Sequence, residues 1–307
     1  MKTRLPLGIA IPQTFLGGRV DTRRIRDFLV RAESLGFESA WVVEQILGSI
    51  PSLEPVELLT YAATITERMH LGSAVLLAAL RSPVHLAKSL ATLDHLSGGR
   101  LIVGVGLGGN TTIYPAYGIS ADRRAARFAE AIRLMKILWT EPRVTFDGQF
   151  WKLKNATMEP KPLQKPHPPI WFGAHHPLAL QRAVEIGSGF IGAGSTSTAQ
   201  FIEEVQTLRA LLEKAGRDPA TFAVGKRVYV AMAQDRGRMA KRLGEWFGAF
   251  YGKPELAERV SVWGTPQECL DRLAEIVTGG AKLLILNPVF DEMEQLEQFA
   301  SEIAPKL

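Results

Sequence analysis

The sequence predicts an α/β protein with the (β/α)8 TIM-barrel fold and a β-hairpin insertion after the fourth helix. Short apolar runs alternate with longer segments of helical period, eight such runs occur, and each is hydrophobic almost throughout. Parallel strands that helices cover on both faces have this continuous hydrophobicity, and eight of them close into a barrel. Barrels of this size fold as one unit, so we interpret all 307 residues, 1–307, as a single domain.

The predicted elements follow one another along the chain. The strands are predicted at 5–11, 39–43, 71–77, 101–106, 170–173, 189–192, 222–231 and 282–286. Amphipathic helices are predicted at 21–35, 54–67, 83–96, 121–138, 177–186, 198–215, 237–250, 266–277 and 292–304. Asp21 is suited to cap the first helix, and Thr265, Pro266 and Glu268 have the spacing of a capping box.

One segment interrupts this alternation. Residues 143–153 read RVTFDGQFWKL, which is two alternating apolar and polar runs around Asp147 and Gly148. An Asp-Gly pair between such runs is typical of a β-hairpin. Because the segment lies between the fourth helix and the proline-rich connection 160–169, we predict an insertion rather than a domain boundary.

The charge distribution argues against a nucleic-acid partner. The formal net charge is +5, but lysines and arginines are spread among acidic residues along the helical segments, whereas nucleic-acid binders gather them in a patch. No apolar stretch reaches the roughly 18 residues of a transmembrane helix, and Pro6 and Pro12 break the apolar run that a signal peptide needs. One cysteine permits no intrachain disulfide. We therefore expect a cytoplasmic protein with no membrane or nucleic-acid partner.

The glycine-rich end of the fourth predicted strand is the first candidate site. Residues 104–109 read GVGLGG, and glycine lets the backbone approach a flat ring or a phosphate closely. A dinucleotide-binding fingerprint would also need a helix to open at once, but a loop at 110–120 follows here. A strand-end turn without a ligand stays open as an alternative.

Two further strand ends carry polar or small residues. Glu44 and Gln45 follow the second predicted strand, where a carboxylate and an amide could hydrogen-bond the edge of a heterocycle. A salt bridge or loop-stabilising pair is the alternative function of these two residues. Ser73 and Ala74 are small and open space at the end of the third strand.

A third strand end runs directly into a helix. His175 and His176 precede Pro177, which suits the first turn of the fifth helix. Free backbone amides at that helix start favour an anion such as phosphate. Neighbouring histidine side chains diverge and no cysteine or acidic residue nearby completes a ligand set, so no metal site is predicted.

These segments together resemble one known family. Residues 69–109 read MHLGSAVLLAALRSPVHLAKSLATLDHLSGGRLIVGVGLGG, which is similar to the central signature of the luciferase-like monooxygenase superfamily. The runs 32–41, 169–191 and 264–285 are similar to other parts of that family, so the resemblance covers nearly the whole chain. It implies a barrel that binds reduced FMN or the deazaflavin coenzyme F420, acts on a small molecule, and forms a homodimer.

The resemblance also implies positions for the cofactor. The isoalloxazine ring would lie against Ala74, Val75 and the turn at 106–108, and a non-proline cis peptide would join Ala74 to Val75. The phosphate would lie at the start of the fifth helix. The implied cofactor-binding residues are Glu44, Ala74, Val75, Leu77, Gly106, Leu107, Gly108, His175, His176, Leu178 and Ala179.

The chain departs from the family at two positions. Deazaflavin enzymes of the family often have Asp-His where this chain has Glu44 and Gln45, and the sugar-phosphate dehydrogenase branch has a glutamate at the position of Gly109. That branch is therefore not expected, and Gln45 cannot transfer a proton at neutral pH. Glu44 and Gln45 remain the candidate catalytic residues, with Glu44 positioning the polar edge of the ring.

The predicted function is hydride transfer between coenzyme F420 and a small, mostly apolar substrate. One alternative is an FMN-dependent monooxygenase that uses O2, and another is a cofactor-binding barrel that has lost catalysis. The substrate pocket is expected to be lined by Phe15, Leu47, Ile50, Leu77, Leu80, Tyr114 and Phe290.

Overall fold

The computed structural model describes residues 5–307 and shows a closed barrel of parallel strands. The strands of the barrel are β1 (Leu7–Ala10), β2 (Ser39–Val42), β3 (His70–Ser73), β4 (Leu101–Val105), β7 (Ile170–Gly173), β8 (Gly189–Gly192), β9 (Ala223–Met232) and β11 (Leu283–Pro288). Each pairs with the next in this order, and β11 pairs with β1 to close the ring. The predicted barrel is confirmed, and residues 1–4, part of the segment considered for a signal peptide, lie outside the described range.

Helices surround this ring. They are α1 (Thr22–Ser34), α2 (Pro55–Ile65), α3 (Pro83–Leu96), α4 (Arg124–Thr140), α5 (Pro177–Ile186), α6 (Thr198–Lys214), α7 (Arg236–Tyr251), α8 (Leu256–Val260), α9 (Pro266–Thr278) and α10 (Glu292–Gln298). A 3-10 turn, Tyr114–Tyr117, follows β4, and a π-helical turn, Phe299–Ile303, extends α10. No helix within residues 5–307 is long and apolar enough to cross a membrane.

The predicted helix caps are confirmed. The Asp21 carboxylate accepts hydrogen bonds from the amides of Arg23 and Arg24 at 3.0 and 3.1 Å. At α9 the Thr265 hydroxyl accepts from the Glu268 amide, and the Glu268 carboxylate accepts from the Thr265 amide at 2.7 Å. These bonds satisfy amides that have no partner inside a helix.

The predicted hairpin insertion is present as β5 (Val144–Asp147) and β6 (Lys152–Ala156), which pair in antiparallel fashion. Glu130 of α4 anchors it, because its carboxylate accepts hydrogen bonds from the amides of Gln149, Phe150 and Trp151 at 2.8–3.0 Å. The turn is therefore fixed to the outside of the barrel.

A second insertion, between β9 and α9, is absent from the sequence prediction. It contains α7, α8 and a short strand, β10 (Ser261–Gly264), which pairs in parallel with the carboxyl-terminal half of β9. The helix predicted at 237–250 is present, but the sequence analysis makes no prediction of the surface it covers. Its apolar side chains pack with Tyr229 in a cluster separate from the main core, because an amphipathic pattern does not specify which surface the helix covers.

The barrel interior is filled by two tryptophans below the strand ends. Trp41 and Trp171 have ring centroids 5.6 Å apart. Trp41 has room because glycine occupies both neighbouring strands: a Cβ at Gly8 or Gly72 would lie 2.6 or 2.4 Å from its ring atoms. The barrel is therefore a packed core with a solid floor beneath the carboxyl-terminal mouth.

Candidate functional site

A narrow cleft lies at the carboxyl ends of the barrel strands, where TIM-barrel sites are built. Residues from β2, β9, β11, the loop after β3 and α7 line it, and they include Trp41, Ala74, Arg227, Trp246, Phe250 and Asn287. The free space in it is only about 40 Å³. The mouth of the barrel is therefore largely filled by the protein's own side chains.

The loop after β3 forms one wall of the site. A non-proline cis peptide joins Ala74 to Val75, as predicted. The loop stays beside β4 because the Leu76 amide donates to Gly104 at 2.8 Å and the Gly106 amide donates to Leu76 at 2.9 Å.

Glycines make this close approach possible. A Cβ at Gly106 would lie 2.5 Å from Cγ2 of Val75, and a Cβ at Gly108 would lie 3.0 Å from a methyl carbon of Leu77. Gly108 also has a φ of +71°, which favours glycine. The structure therefore brings together the predicted residues of the third and fourth strand ends.

Glu44 binds the same loop. Its side chain is 1% exposed, and one carboxylate oxygen accepts the Leu77 amide hydrogen bond at 2.7 Å. The other oxygen accepts from Nε of Arg81 at 3.1 Å, and Arg81 also forms an ion pair with Glu54. This arrangement corresponds to the loop-stabilising alternative, while a contact of Glu44 with a ring stays a prediction.

The side-chain oxygen of Gln45 has no hydrogen-bond partner in the described chain. Its Oε1 is buried and accepts no hydrogen bond within residues 5–307, and its Nε2 lies 2.8 Å from the position that a Cβ on Gly48 would take. An amide oxygen without a donor is costly to bury. A catalytic role for Gln45 stays a prediction.

The predicted phosphate position at the start of α5 is partly occupied by the protein. His176 caps this helix: its Nδ1 accepts from the Leu178 amide at 3.2 Å, and its carbonyl accepts from the Ala179 amide at 2.8 Å. His175, His176 and Leu178 are exposed. A phosphate could use the Leu178 amide only after the His176 ring turns aside, so the site stays a prediction.

Arg227 and Asn287 are cleft residues that the sequence analysis missed. They lie on neighbouring strands β9 and β11 and are 9% and 8% exposed. Nε of Arg227 donates to Oδ1 of Asn287 at 3.1 Å, and the guanidinium carbon lies 4.7 Å from the centroid of the Tyr229 ring. The sequence did offer a signal for Arg227, because it is a charged residue inside the predicted apolar strand 222–231. Charged residues are rarely buried unless they have a partner.

Lys226, the residue before Arg227 on β9, faces the opposite way. Lys226 lies on the outer side of β9, where its Nζ donates to the carbonyl and hydroxyl oxygens of Thr196, both at 2.9 Å. Burial lowers the pKa of Lys226 to about 7, and burial raises the pKa of nearby Glu204 to about 7. These two groups therefore belong to the packing of α6 against the barrel and not to the cleft.

Aromatic side chains of α7 cover the cleft. Trp246 and Phe250 stack with centroids 4.8 Å apart and planes at 13°, and both line the cleft. The Tyr251 hydroxyl lies 2.6 Å from that of Tyr229. The second insertion is therefore attached to the barrel directly above the candidate site.

The apolar pocket expected from the sequence is wrong for this cleft. None of its seven predicted lining residues borders the cleft. Tyr114 is fully buried and donates to the Leu107 carbonyl at 3.2 Å, whereas Leu47 is 53% exposed. Polar groups of Arg227 and Asn287 line the cleft instead, because the α7 insertion and the strand ends of β9 and β11 form its walls.

Neither metal chemistry nor a thiol nucleophile is indicated in the described residues. Within residues 5–307 no group of three or more histidine, cysteine or acidic side chains could hold a metal ion. Cys269 is fully buried in α9, and burial raises the pKa of its thiol to about 12. The thiolate, which is the reactive form, is therefore suppressed.

Comparison with known proteins agrees with this fold. The family described as luciferase-like monooxygenase matches residues 6–255, so the chain belongs to that family. A protein of Beutenbergia cavernae named F420-dependent glucose-6-phosphate dehydrogenase is 30% identical, over 93% of this chain and 93% of its own length.

Solved structures give the same architecture. Monooxygenase RslO1 from Streptomyces bottropensis is 25% identical, with a TM-score of 0.84, over 98% of this chain and 99% of that one. An F420-dependent secondary alcohol dehydrogenase, solved in complex with an F420–acetone adduct, has a TM-score of 0.84 at 18% identity, over 98% of both chains. At that identity the second likeness concerns the fold.

Proposed function

We propose that this chain is an oxidoreductase that uses coenzyme F420 to transfer a hydride to or from a small organic substrate. The observation that carries the proposal is the wall at the third and fourth strand ends, where Gly106 leaves room for Val75 and the neighbouring Ala74 borders the cleft. A flat ring requires such a surface, and full-length relatives named F420-dependent dehydrogenases favour a deazaflavin.

The residues of this wall fit a flat ring, provided that α7 moves. Ala74 borders the cleft, and Val75 packs between Gly106 and Gly173, where Cβ atoms would approach it to 2.5 and 3.0 Å. Since about 40 Å³ of free space cannot admit a tricyclic ring, Trp246 and Phe250 must shift outward when it binds.

The protein's part in the reaction is positioning and exclusion of water. When bound, the cofactor would supply the hydride for substrate reduction or accept it in substrate oxidation. Glu44 and Arg81 fix the loop that carries Val75, because they hold the Leu77 amide in place. Trp246 and Phe250 then cover the substrate side of the cleft and keep water out.

Fluorescence titration of the purified protein with F420 and with FMN tests this function. We expect tighter binding of F420 than of FMN. Gly106→Ala should weaken F420 binding at least tenfold, because the new Cβ would lie 2.5 Å from Val75 Cγ2 and displace the wall. Gly109→Ala is the matched control, since a Cβ there meets nothing within 4 Å. Equal affinities in both variants would contradict the assigned ring position.

Glucose 6-phosphate is not the proposed substrate. The relatives named F420-dependent glucose-6-phosphate dehydrogenase match this chain at moderate identity. This chain, however, has Gln45 and Gly109 where the resemblance implies a base and an acid. We therefore expect no reduction of F420 by glucose 6-phosphate, measured as loss of the oxidised cofactor's absorbance. Rapid reduction would contradict this.

An FMN-dependent monooxygenase is the second candidate, and the likeness to monooxygenase RslO1 at 25% identity supports a monooxygenase reaction. Oxygen uptake with reduced FMN, together with no affinity for F420, would establish it in place of the first proposal. Cofactor binding without turnover on a broad panel of ketones, enones, imines and alkanals would instead support a barrel without catalysis.

We also propose the homodimer and the cytoplasmic location that the sequence analysis predicts. Light scattering of the purified chain measures the first, and a mass of one chain would contradict it. Fractionation of the source cells measures the second.

A further inference from the structure

Arg227 brings a positive charge into the cleft that no carboxylate neutralises. It is 9% exposed, and its hydrogen-bond partner Asn287 is neutral. Glu292, which also borders the cleft, is ion-paired with Arg24. No acidic side chain within residues 5–307 forms an ion pair with Arg227. Burying an uncompensated charge costs several kcal/mol, so this arginine is an unfavourable choice for packing alone.

The guanidinium also has more donors than its neighbours use. It carries five N–H groups in a planar fork. Oδ1 of Asn287 accepts hydrogen bonds from Nε and Nη2. The Tyr229 ring packs against the guanidinium at 4.7 Å and fixes its plane. A planar anion can therefore dock on the remaining N–H groups in the bidentate geometry that arginine favours.

The other walls of the cleft are aromatic. Trp41 forms part of one wall, and the stacked pair of Trp246 and Phe250 forms another. Flat conjugated groups pack well on such rings. The ligand that matches both features has an anionic, planar head for Arg227 and a flat apolar body for the aromatic pair.

We propose that the cleft, once Trp246 and Phe250 shift outward, binds a planar organic carboxylate, with its carboxylate on Arg227 and its conjugated body against these two rings. This ligand is the substrate class of the reaction proposed above, and in that role the inference rests on the proposed function. The binding of the carboxylate does not rest on the proposed function, because every group named belongs to this chain. The expected substrate is therefore an aryl or α,β-unsaturated acid rather than a mostly apolar compound.

Isothermal titration calorimetry with benzoate and with benzamide at neutral pH is the test, with and without bound F420. The two probes have the same shape but differ in charge. We expect benzoate to bind the wild-type protein at least tenfold more tightly than benzamide. Arg227→Met should abolish that preference, and Arg227→Lys should retain only part of it, because lysine keeps the charge but not the fork.

The matched control is Arg242→Met. Arg242 lies on α7, the helix that carries Trp246 and Phe250, but Asp291 already neutralises it, so benzoate affinity should stay at the wild-type value. Equal affinities for benzoate and benzamide in the wild-type protein, or wild-type benzoate affinity in Arg227→Met, would overturn the proposal. If the methionine variant does not fold, wild-type affinity in Arg227→Lys overturns the bidentate contact.

Thermal unfolding without ligand separates a binding role from a structural one. An arginine kept for binding should be replaceable by methionine with an unchanged or higher melting temperature, because the buried uncompensated charge disappears. An arginine kept for packing should not be replaceable, so a lower melting temperature together with retained benzoate binding would overturn the proposal.

Cofactor titrations distinguish this inference from the proposed function. Arg227→Met should bind oxidised and reduced F420 as the wild-type protein does. If Arg227→Met weakened the binding of reduced F420 alone and kept its affinity for benzoate, the charge of Arg227 would serve to bind the cofactor. That result would overturn the carboxylate site. If neither F420 nor FMN binds the wild-type protein while benzoate does, the proposed function fails and the carboxylate site stands.

Discussion

Glu44 offers the most informative single perturbation of the candidate site. The sequence suggests a contact with the cofactor ring, whereas the structure gives its carboxylate to the Leu77 amide at 2.7 Å and to Arg81 at 3.1 Å. The two roles predict different results for Glu44→Ala, because one concerns ligand binding alone and the other concerns the stability of the loop after β3.

The magnitude follows from the contacts. A hydrogen bond to a charged group contributes roughly 1.5–3 kcal/mol, and removing one partner of a buried ion pair costs roughly 3–5 kcal/mol. Arg81 is 22% exposed at its side chain and keeps Glu54, so the lower end applies. We expect Glu44→Ala to lower the free energy of unfolding by about 3 kcal/mol and Glu44→Gln by roughly half as much.

Urea denaturation followed by circular dichroism measures this change, and fluorescence titration with F420 measures ligand binding on the same samples. Glu213→Ala, at an exposed glutamate near the end of α6, is the control and should stay within about 0.5 kcal/mol of the wild type. A Glu44→Ala protein of wild-type stability would refute the loop-stabilising role. Loss of F420 affinity at unchanged stability would instead establish the contact with the ring.

Three further predictions concern the barrel and its helices. Gly72→Ala should cost about 1–3 kcal/mol of unfolding free energy, because its Cβ would lie 2.4 Å from Trp41; Gly17→Ala, with nothing within 4 Å, should be neutral in the same denaturation assay. Burial raises the pKa of Glu204 to about 7 from a usual 4.5, so the native state binds more protons between these values and its stability falls as pH rises from about 4.5 to 7. Urea titrations near pH 5 and 7 should show that Glu204→Gln flattens this fall, by about 2 kcal/mol; an unchanged slope would contradict it. Cys269, fully buried with its pKa raised to about 12, should react with thiol reagents only after unfolding, and rapid labelling of the native protein would refute that.

Local patterns in the sequence determined most of the architecture. Continuous apolar runs predicted the barrel strands, since a strand between two layers of helices is buried on both faces. The caps at Asp21 and Thr265 and the Asp147-Gly148 hairpin could be predicted because each depends on residues within a few positions of one another. The cis peptide between Ala74 and Val75 was implied by the family resemblance and not by any local pattern.

The cleft, in contrast, was decided by tertiary structure. Arg227 and Asn287 are 60 residues apart and meet only because β9 and β11 are neighbours in the closed ring. Glu44 and Arg81, 37 residues apart, pair because the loops after β2 and β3 meet at one edge. Alternation within a strand tells which side chains are buried, but only barrel closure determines which strand ends face each other.

The position of α7 shows most clearly what the sequence alone did not determine. Its amphipathic sequence determined that a helix would form near 237–250, yet the surface covered by Trp246 and Phe250 depends on Tyr229 of β9 and Tyr251 coming together at 2.6 Å. Helix formation depends on contacts within a few turns, whereas the packing of a helix over the barrel mouth depends on residues brought together from distant parts of the chain. The sequence therefore determined the barrel and its strand-end glycines, and the tertiary structure alone decided that a buried arginine and an aromatic pair share the cleft.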